Sequence, residues 1–186
     1  MTFPKGMQIL AAVPSEFTQI LTTEALELLV KLHRNFEARR QGLLALRKQR
    51  AQRLDAGERP DFLPETKFIR DSEWKINTIP AALQCRRVEI TGPVEAKMII
   101  NALNSGADSY MADFEDSNSP SWSNQIQGQL NLKAAVRRSL TLEQKGKTYK
   151  LNEKIATLQV RPRGWHLEEK HILIDGHRTS GGLLDF

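Results

Sequence analysis

The feature that most narrows the folds open to this chain is a strand, a helix and a second strand packed into residues 87–114. Arg87-Val88-Glu89-Ile90-Thr91 is a short β-branched run stopped by Gly92-Pro93, and residues 93–103 then carry Val94, Met98, Ile99 and Ala102 at helical spacing. Ser105-Gly106 ends that helix, and Ser109-Tyr110-Met111-Ala112-Asp113-Phe114 follows as a second strand. A helical crossover makes the two strands parallel, and a parallel sheet must be covered on both faces. A further helix over 126–140 leads through Gly146 to a third strand at 156–161, with a fourth extended piece at 171–174. The pattern predicts an α/β fold, the opening of a parallel sheet or of a (β/α)8 TIM-type barrel. Such a barrel takes about 250 residues and cannot be completed in those that follow Cys85. The chain is therefore expected to be a fragment whose barrel lacks its C-terminal remainder.

The pattern upstream of residue 86 is different. Thr22 and Thr23 are plausible N-caps, with Glu24 and Glu27 well placed in the first turn of a helix. Gly42 is expected to break it into a second helix, and Ala56-Gly57 with Pro60 closes the unit. Residues 60–80 read as an irregular connector, pinned to something apolar by Phe68 and Trp74. The positive charge is concentrated here. Residues 31–59 hold nine Lys and Arg against three acids, leaving 18 basic against 19 acidic residues elsewhere in a chain of net charge +5. Leu26, Leu29, Val30, His33, Phe36, Leu43 and Leu44 recur at helical intervals with the basic residues between them, which describes an amphipathic helix with a solvated face. Aromatic residues do not interleave with these charges and zinc-finger spacing is absent, so no nucleic-acid partner is expected.

The composition, 40% hydrophobic and 26% charged, suits a globular chain with a core. Uncharged apolar runs fall far short of the roughly 20 residues that a membrane helix requires, and residues 1–12 are too short in apolar length for a secretory signal. A soluble intracellular protein with no membrane partner is expected. The single cysteine, Cys85, excludes an internal disulfide and a multi-cysteine zinc site, and reads as a small buried residue.

In parallel α/β folds the functional groups lie at the carboxyl ends of strands. The second strand ends in Asp113-Phe114-Glu115-Asp116-Ser117, three carboxylates in four residues whose repulsion calls for a cation or a basic partner. The third ends in Arg161-Pro162-Arg163-Gly164, and an arginine facing carboxylates across the sheet can receive a small anionic oxo-acid through two hydrogen bonds. A structural ion pair capping the sheet is the competing reading. His166 lies close in sequence to the candidate site, His33 reads as an interface residue, and His171 and His177 read as part of a hairpin-like surface segment. Serine-hydrolase, phosphate-loop and dinucleotide signatures are absent.

At these same residues the sequence resembles malate synthase of the A type found in bacteria, plants and fungi. The resemblance runs through Pro60-Asp61-Phe62-Leu63-Pro64-Glu65-Thr66, Ile69-Arg70-Asp71-Ser72-Glu73-Trp74-Lys75-Ile76, Arg86-Arg87-Val88-Glu89-Ile90-Thr91-Gly92-Pro93-Val94-Glu95, Met111-Ala112-Asp113-Phe114-Glu115-Asp116-Ser117 and Arg161-Pro162-Arg163-Gly164-Trp165-His166-Leu167. It implies an N-terminal helical clasp and connector over 1–85 and the first part of a TIM-barrel catalytic domain over 86–186. It also implies an acyltransferase of the glyoxylate cycle, condensing acetyl-CoA with glyoxylate and water to give malate and CoA, with Mg2+ holding glyoxylate. By position Arg161 resembles the family's catalytic arginine, while Asp113, Glu115 and Asp116, with Arg163 beside them, resemble residues lining the substrate and metal site. The Mg2+ ligands and the catalytic aspartate are expected downstream of residue 186, so the fragment alone is expected to be inactive. A cytoplasmic location follows, or a peroxisome or glyoxysome in a eukaryote. Two alternatives stand beside this reading: a Mg2+-dependent acyl-CoA carbon–carbon lyase resembling the citrate lyase β-subunit, and a non-enzymatic binding module built on the basic helix.

Overall fold

A computed structural model describes residues 3–186. Strand β1 (Met7–Ile9) and a 3-10 turn (Ser15–Gln19) lead into α1 (Thr23–Asp55). The Thr22 side-chain oxygen caps α1, accepting from the Ala25 N–H at 3.2 Å, and Gly57 at φ +97° turns the chain away just beyond its end. The predicted break at Gly42 does not occur: α1 is one helix of 33 residues. A helical glycine lowers stability by about 1 kcal/mol relative to alanine, and Gly42 faces open space with nothing that would force a kink.

The apolar stripe on α1 is used only in its first half. Leu26, Leu29, Val30 and His33 are buried, whereas Phe36 and Leu43 are more than half exposed. Most basic residues of the helix face solvent as expected, but Arg40 is buried. Its guanidinium grips Glu37 (Nη2–Oε1 2.7 Å) and donates to the Trp165 carbonyl at 2.8 Å.

The connector contains a four-residue helix, α2 (Lys67–Arg70), and a 3-10 turn at Ala81–Leu83. Phe68 and Trp74, expected to pin it, are 72% and 64% exposed. Cys85, expected to be buried, is exposed too, because this part of the chain lies outside both hydrophobic cores.

From here the predicted crossover appears: β2 (Glu89–Gly92), α3 (Ala96–Leu103) and β3 (Ser109–Asp113). Next come α4 (Trp122–Val136), a hairpin of β4 (Thr141–Gln144) and β5 (Lys147–Lys150), and β6 (Thr157–Arg161). The hairpin was not anticipated. Its turn residues Lys145 and Gly146 both have positive φ, the geometry that a tight two-residue turn requires. Strands β2, β3 and β6 form a parallel sheet in that order, with Glu89 opposite Ser109 and Asp113 opposite Arg161. This is an open sheet, the start of a barrel without its closure.

Between β6 and the final helix α5 (Gly181–Asp185) the chain inserts an antiparallel hairpin, β7 (Glu168–Ile174) and β8 (His177–Ser180). The extended piece at 171–174 therefore belongs to this hairpin, and β7 takes β1 as its other neighbour, Met7 opposite Ile174. One core lies between the parallel sheet and helices α3 and α4. The second joins Phe17, Leu26 and Leu29 to Trp122, Ile126 and Ile172, so the N-terminal helix is held by residues far along the chain. Each such buried side chain stabilises the fold by about 1.5–3 kcal/mol. Among the described residues no helix is long and apolar enough to cross a membrane.

Candidate active site at the strand ends

The parallel pairing of β3 with β6 places Asp113 and Arg161 side by side at the carboxyl ends of neighbouring strands. One further backbone bond, from the Phe114 N–H to the Arg161 carbonyl at 3.0 Å, holds the chain in register past the strand end. From there the Arg161 guanidinium reaches all three predicted carboxylates: Asp113 Oδ2 at 3.3 Å, Glu115 Oε2 at 2.7 Å and Asp116 Oδ2 at 2.6 Å. The sequence called for a basic partner to offset their repulsion, and Arg161 supplies it.

The three carboxylates are not equivalent. Asp113 is 1% exposed and shapes the loop: Oδ1 accepts from the Glu115 and Asp116 N–H groups, and Oδ2 from the Ser117 N–H and hydroxyl. Burial pushes its pKa up, but these hydrogen bonds and the Arg161 charge outweigh burial and hold it below its ordinary value of 3.8. Asp116 is 70% exposed, and a contact that open is screened by solvent and contributes little. A ligand carboxylate could therefore exchange with it on the guanidinium, whose own side chain is 37% exposed. The Arg161 pKa is raised, chiefly through its hydrogen bond to Asp116, so the group is cationic throughout.

Folding lowers the Asp113 pKa, so its ionised form stabilises the protein above pH 3.8 and the contribution disappears as pH falls through the folded value. Asp113→Asn is accordingly expected to be less stable than the parent at pH 7, with the gap closing as acidification proceeds below pH 3.8. Denaturant melts across that range check this, and a gap that stays constant would contradict it.

Arg163 is not brought to this cluster. It is buried and turned to the other side of the loop, where Asp185 and Glu169 hold it. Neither partner was identified from the sequence. Glu169 sits on β7 out of step with the inward residues Ile172 and Ile174, because a bulge between Glu169 and Leu173 reverses which face is inside. Strand alternation would thus have placed Glu169 outside. Gly164 connects the two regions, its N–H donating to Glu115 Oε1 at 3.2 Å, and a Cβ on Gly164 would sit only 2.8 Å from both Glu115 Oε1 and the His166 ring. His166 borders the site in this way without a hydrogen bond to the carboxylates among the described residues. Beside the loop, a cleft of about 370 Å3 is lined by Pro93, Val94, Ser117, Asn118, Gln127 and Asn131. Among the described residues no group of three or more His, Cys, Asp and Glu is arranged to hold a metal ion.

A helical N-terminal segment, the opening of a parallel α/β barrel and an arginine–carboxylate cluster at the strand ends define the class: a barrel-type α/β protein with its candidate polar site at the carboxyl end of the sheet. Comparison with known proteins narrows this. Family profiles described as "Malate synthase, N-terminal domain" and "Malate synthase, TIM barrel domain" match residues 5–68 and 157–186. Malate synthase of Myxococcus xanthus is 54% identical over 185 residues, covering 99% of this chain and 34% of the relative. The glyoxysomal malate synthases of Candida tropicalis and Brassica napus are 54% and 51% identical, each over 98% of this chain and 34% and 33% of their own lengths. The chain belongs to the malate synthase family and spans about a third of the length of these relatives.

Proposed function

We propose that this chain forms part of an enzyme that condenses acetyl-CoA with glyoxylate and water to give malate and CoA. The observation that carries the proposal is Arg161, a guanidinium aimed from a strand end into a loop of carboxylates and still open to a ligand on one side. Its role is electrostatic. A guanidinium stays protonated, so it stabilises the developing enolate oxygen and polarises the aldehyde without accepting a proton. Glu115 holds it from the buried side, and Asp116 is the contact that a substrate carboxylate replaces.

Asp113 is a poor candidate for the base that deprotonates the acetyl methyl, since its oxygens are occupied by N–H and hydroxyl donors and its pKa is held low. The same commitment leaves Asp113 few lone pairs for a metal, and Glu115 and Asp116 are engaged with Arg161. These residues do not fit a Mg2+ site, so we assign the Mg2+ of this reading to ligands outside the cluster, with Asp113, Glu115 and Asp116 lining the site. The helical clasp is assigned to residues 1–85 and the barrel opening to 86–186. The basic face of α1 is assigned to solvent and not to nucleic acid. The location is taken as cytoplasmic, or as the compartment that the names of the Candida and Brassica relatives give if the source is eukaryotic.

The test is an assay of the full reading frame that carries this chain. Glyoxylate-dependent release of CoA from acetyl-CoA in the presence of Mg2+, with malate identified by mass, is the expected outcome. No release with glyoxylate, but cleavage of a 3-hydroxyacyl-CoA, would overturn the proposal in favour of a lyase.

A further inference from the structure

Arg163 is buried with two carboxylates, Asp185 and Glu169, whose side chains are equally closed to solvent. Asp185 binds it three times: Oδ2 accepts from the Arg163 backbone N–H at 2.9 Å and from Nε at 2.8 Å, and Oδ1 accepts from Nη2 at 2.9 Å. Glu169 Oε2 lies 2.9 Å from Nη1, and its Oε1 accepts from the His171 N–H and contacts His171 Nδ1. The seat is built for this residue. A Cβ on Gly181 would lie 2.9 Å from the Arg163 guanidinium carbon, and one on Gly182 would lie 2.6 Å from the Arg163 carbonyl oxygen.

This anchor lies two residues from Arg161, across Pro162, whose ring fixes φ. On the near side, Arg161 is held by the Phe114 N–H. On the far side, Gly164 donates to Glu115 and Arg40 donates to the Trp165 carbonyl. With both flanks tied, the backbone of residues 161–164 has one path, and the Arg161 guanidinium is pre-aimed at Glu115 and Asp116.

We propose that Arg163 is a positioning residue for Arg161: the buried Asp185–Arg163–Glu169 network sets the path of the loop and through it the placement of the Arg161 charge. This deepens the proposed function and rests on it. The separate roles of the two arginines follow from burial, since Arg161 keeps an open side for ligand and Arg163 has none.

The experiment is a kinetic double-mutant cycle in the full-length enzyme. Arg163→Lys keeps the charge but cannot span Asp185 bidentately while reaching Glu169, and kcat should fall about tenfold with KM for acetyl-CoA within about twofold, since small misplacements of a catalytic group cost rate and the acetyl-CoA contacts do not run through Arg161. Arg161→Lys combined with Arg163→Lys should be no slower than Arg161→Lys alone, within about twofold, because an arginine that acts through Arg161 has nothing left to aim. Losses that multiply, or a folded Arg163→Lys enzyme with unchanged kcat, would overturn the inference while leaving the proposed function in place. Should Arg163→Lys fail to fold by circular dichroism, Asp185→Asn carries the same cycle, and failure of both to fold assigns the network to stability alone and also overturns it. An unsubstituted full-length enzyme without glyoxylate-dependent turnover refutes the underlying reading and this inference with it.

Discussion

Replacing Arg161 by lysine is expected to lower kcat of the full-length enzyme by about 100-fold or more, the scale for losing one preorganised donor to a developing oxyanion. The charge survives, so the loss would report geometry. A planar guanidinium spans Glu115 Oε2 and Asp116 Oδ2 from two different nitrogens, at 2.7 and 2.6 Å, and a single ammonium cannot hold both and still present a donor to substrate. KM for acetyl-CoA should move little, because the interaction matters most when the enolate oxygen carries charge. Steady-state kinetics with both substrates settle it: near-normal kcat would remove Arg161 from the chemistry and return the cluster to an ion pair that caps the sheet.

A polypeptide of these 186 residues alone should form no malate and should aggregate. The parallel sheet runs β2-β3-β6, so β2 and β6 each have an unpaired edge within the described residues, and Val160 on β6 is half exposed. Phe62, Phe68, Trp74 and Ile76 in the connector are also exposed, leaving large apolar side chains open to association. Chemistry would be missing in addition to packing. The cluster holds a stabilising guanidinium, but its best-placed carboxylate is tied down as a loop-shaping acceptor, and no described residues form a metal site. Size-exclusion chromatography and a thiol-release assay on the isolated polypeptide are the measurement, and a monodisperse monomer turning over within about tenfold of a full-length relative would contradict both halves of the expectation.

The site was more legible in the sequence than its support. Asp113, Glu115, Asp116 and Arg161 could be placed because strand ends are read from local patterning and parallel neighbours bring those ends together. Arg163 occupies the same short motif, yet its environment depends on Asp185, 22 positions away, and on Glu169, whose inward direction is created by a bulge. Neither leaves a trace in the periodicity around Arg163. Arg40 is a similar case, since a basic residue between apolar ones reads as solvent-facing until its carboxylate partner Glu37 and the Trp165 carbonyl are seen.

By itself the sequence determined the local elements and their order: the capped start of α1, the crossover from β2 to β3, and the parallel sense of the sheet. These depend on side-chain period, capping chemistry and the reach of a short connection, all contained within a few tens of residues. The tertiary structure alone decided that α1 continues through Gly42, that β1 pairs with β7, and that only the first half of the α1 apolar stripe is buried. Periodicity reports that a face is apolar but not what will cover it, and contacts across more than a hundred residues depend on a loop-closure cost and a packing gain that no local window contains.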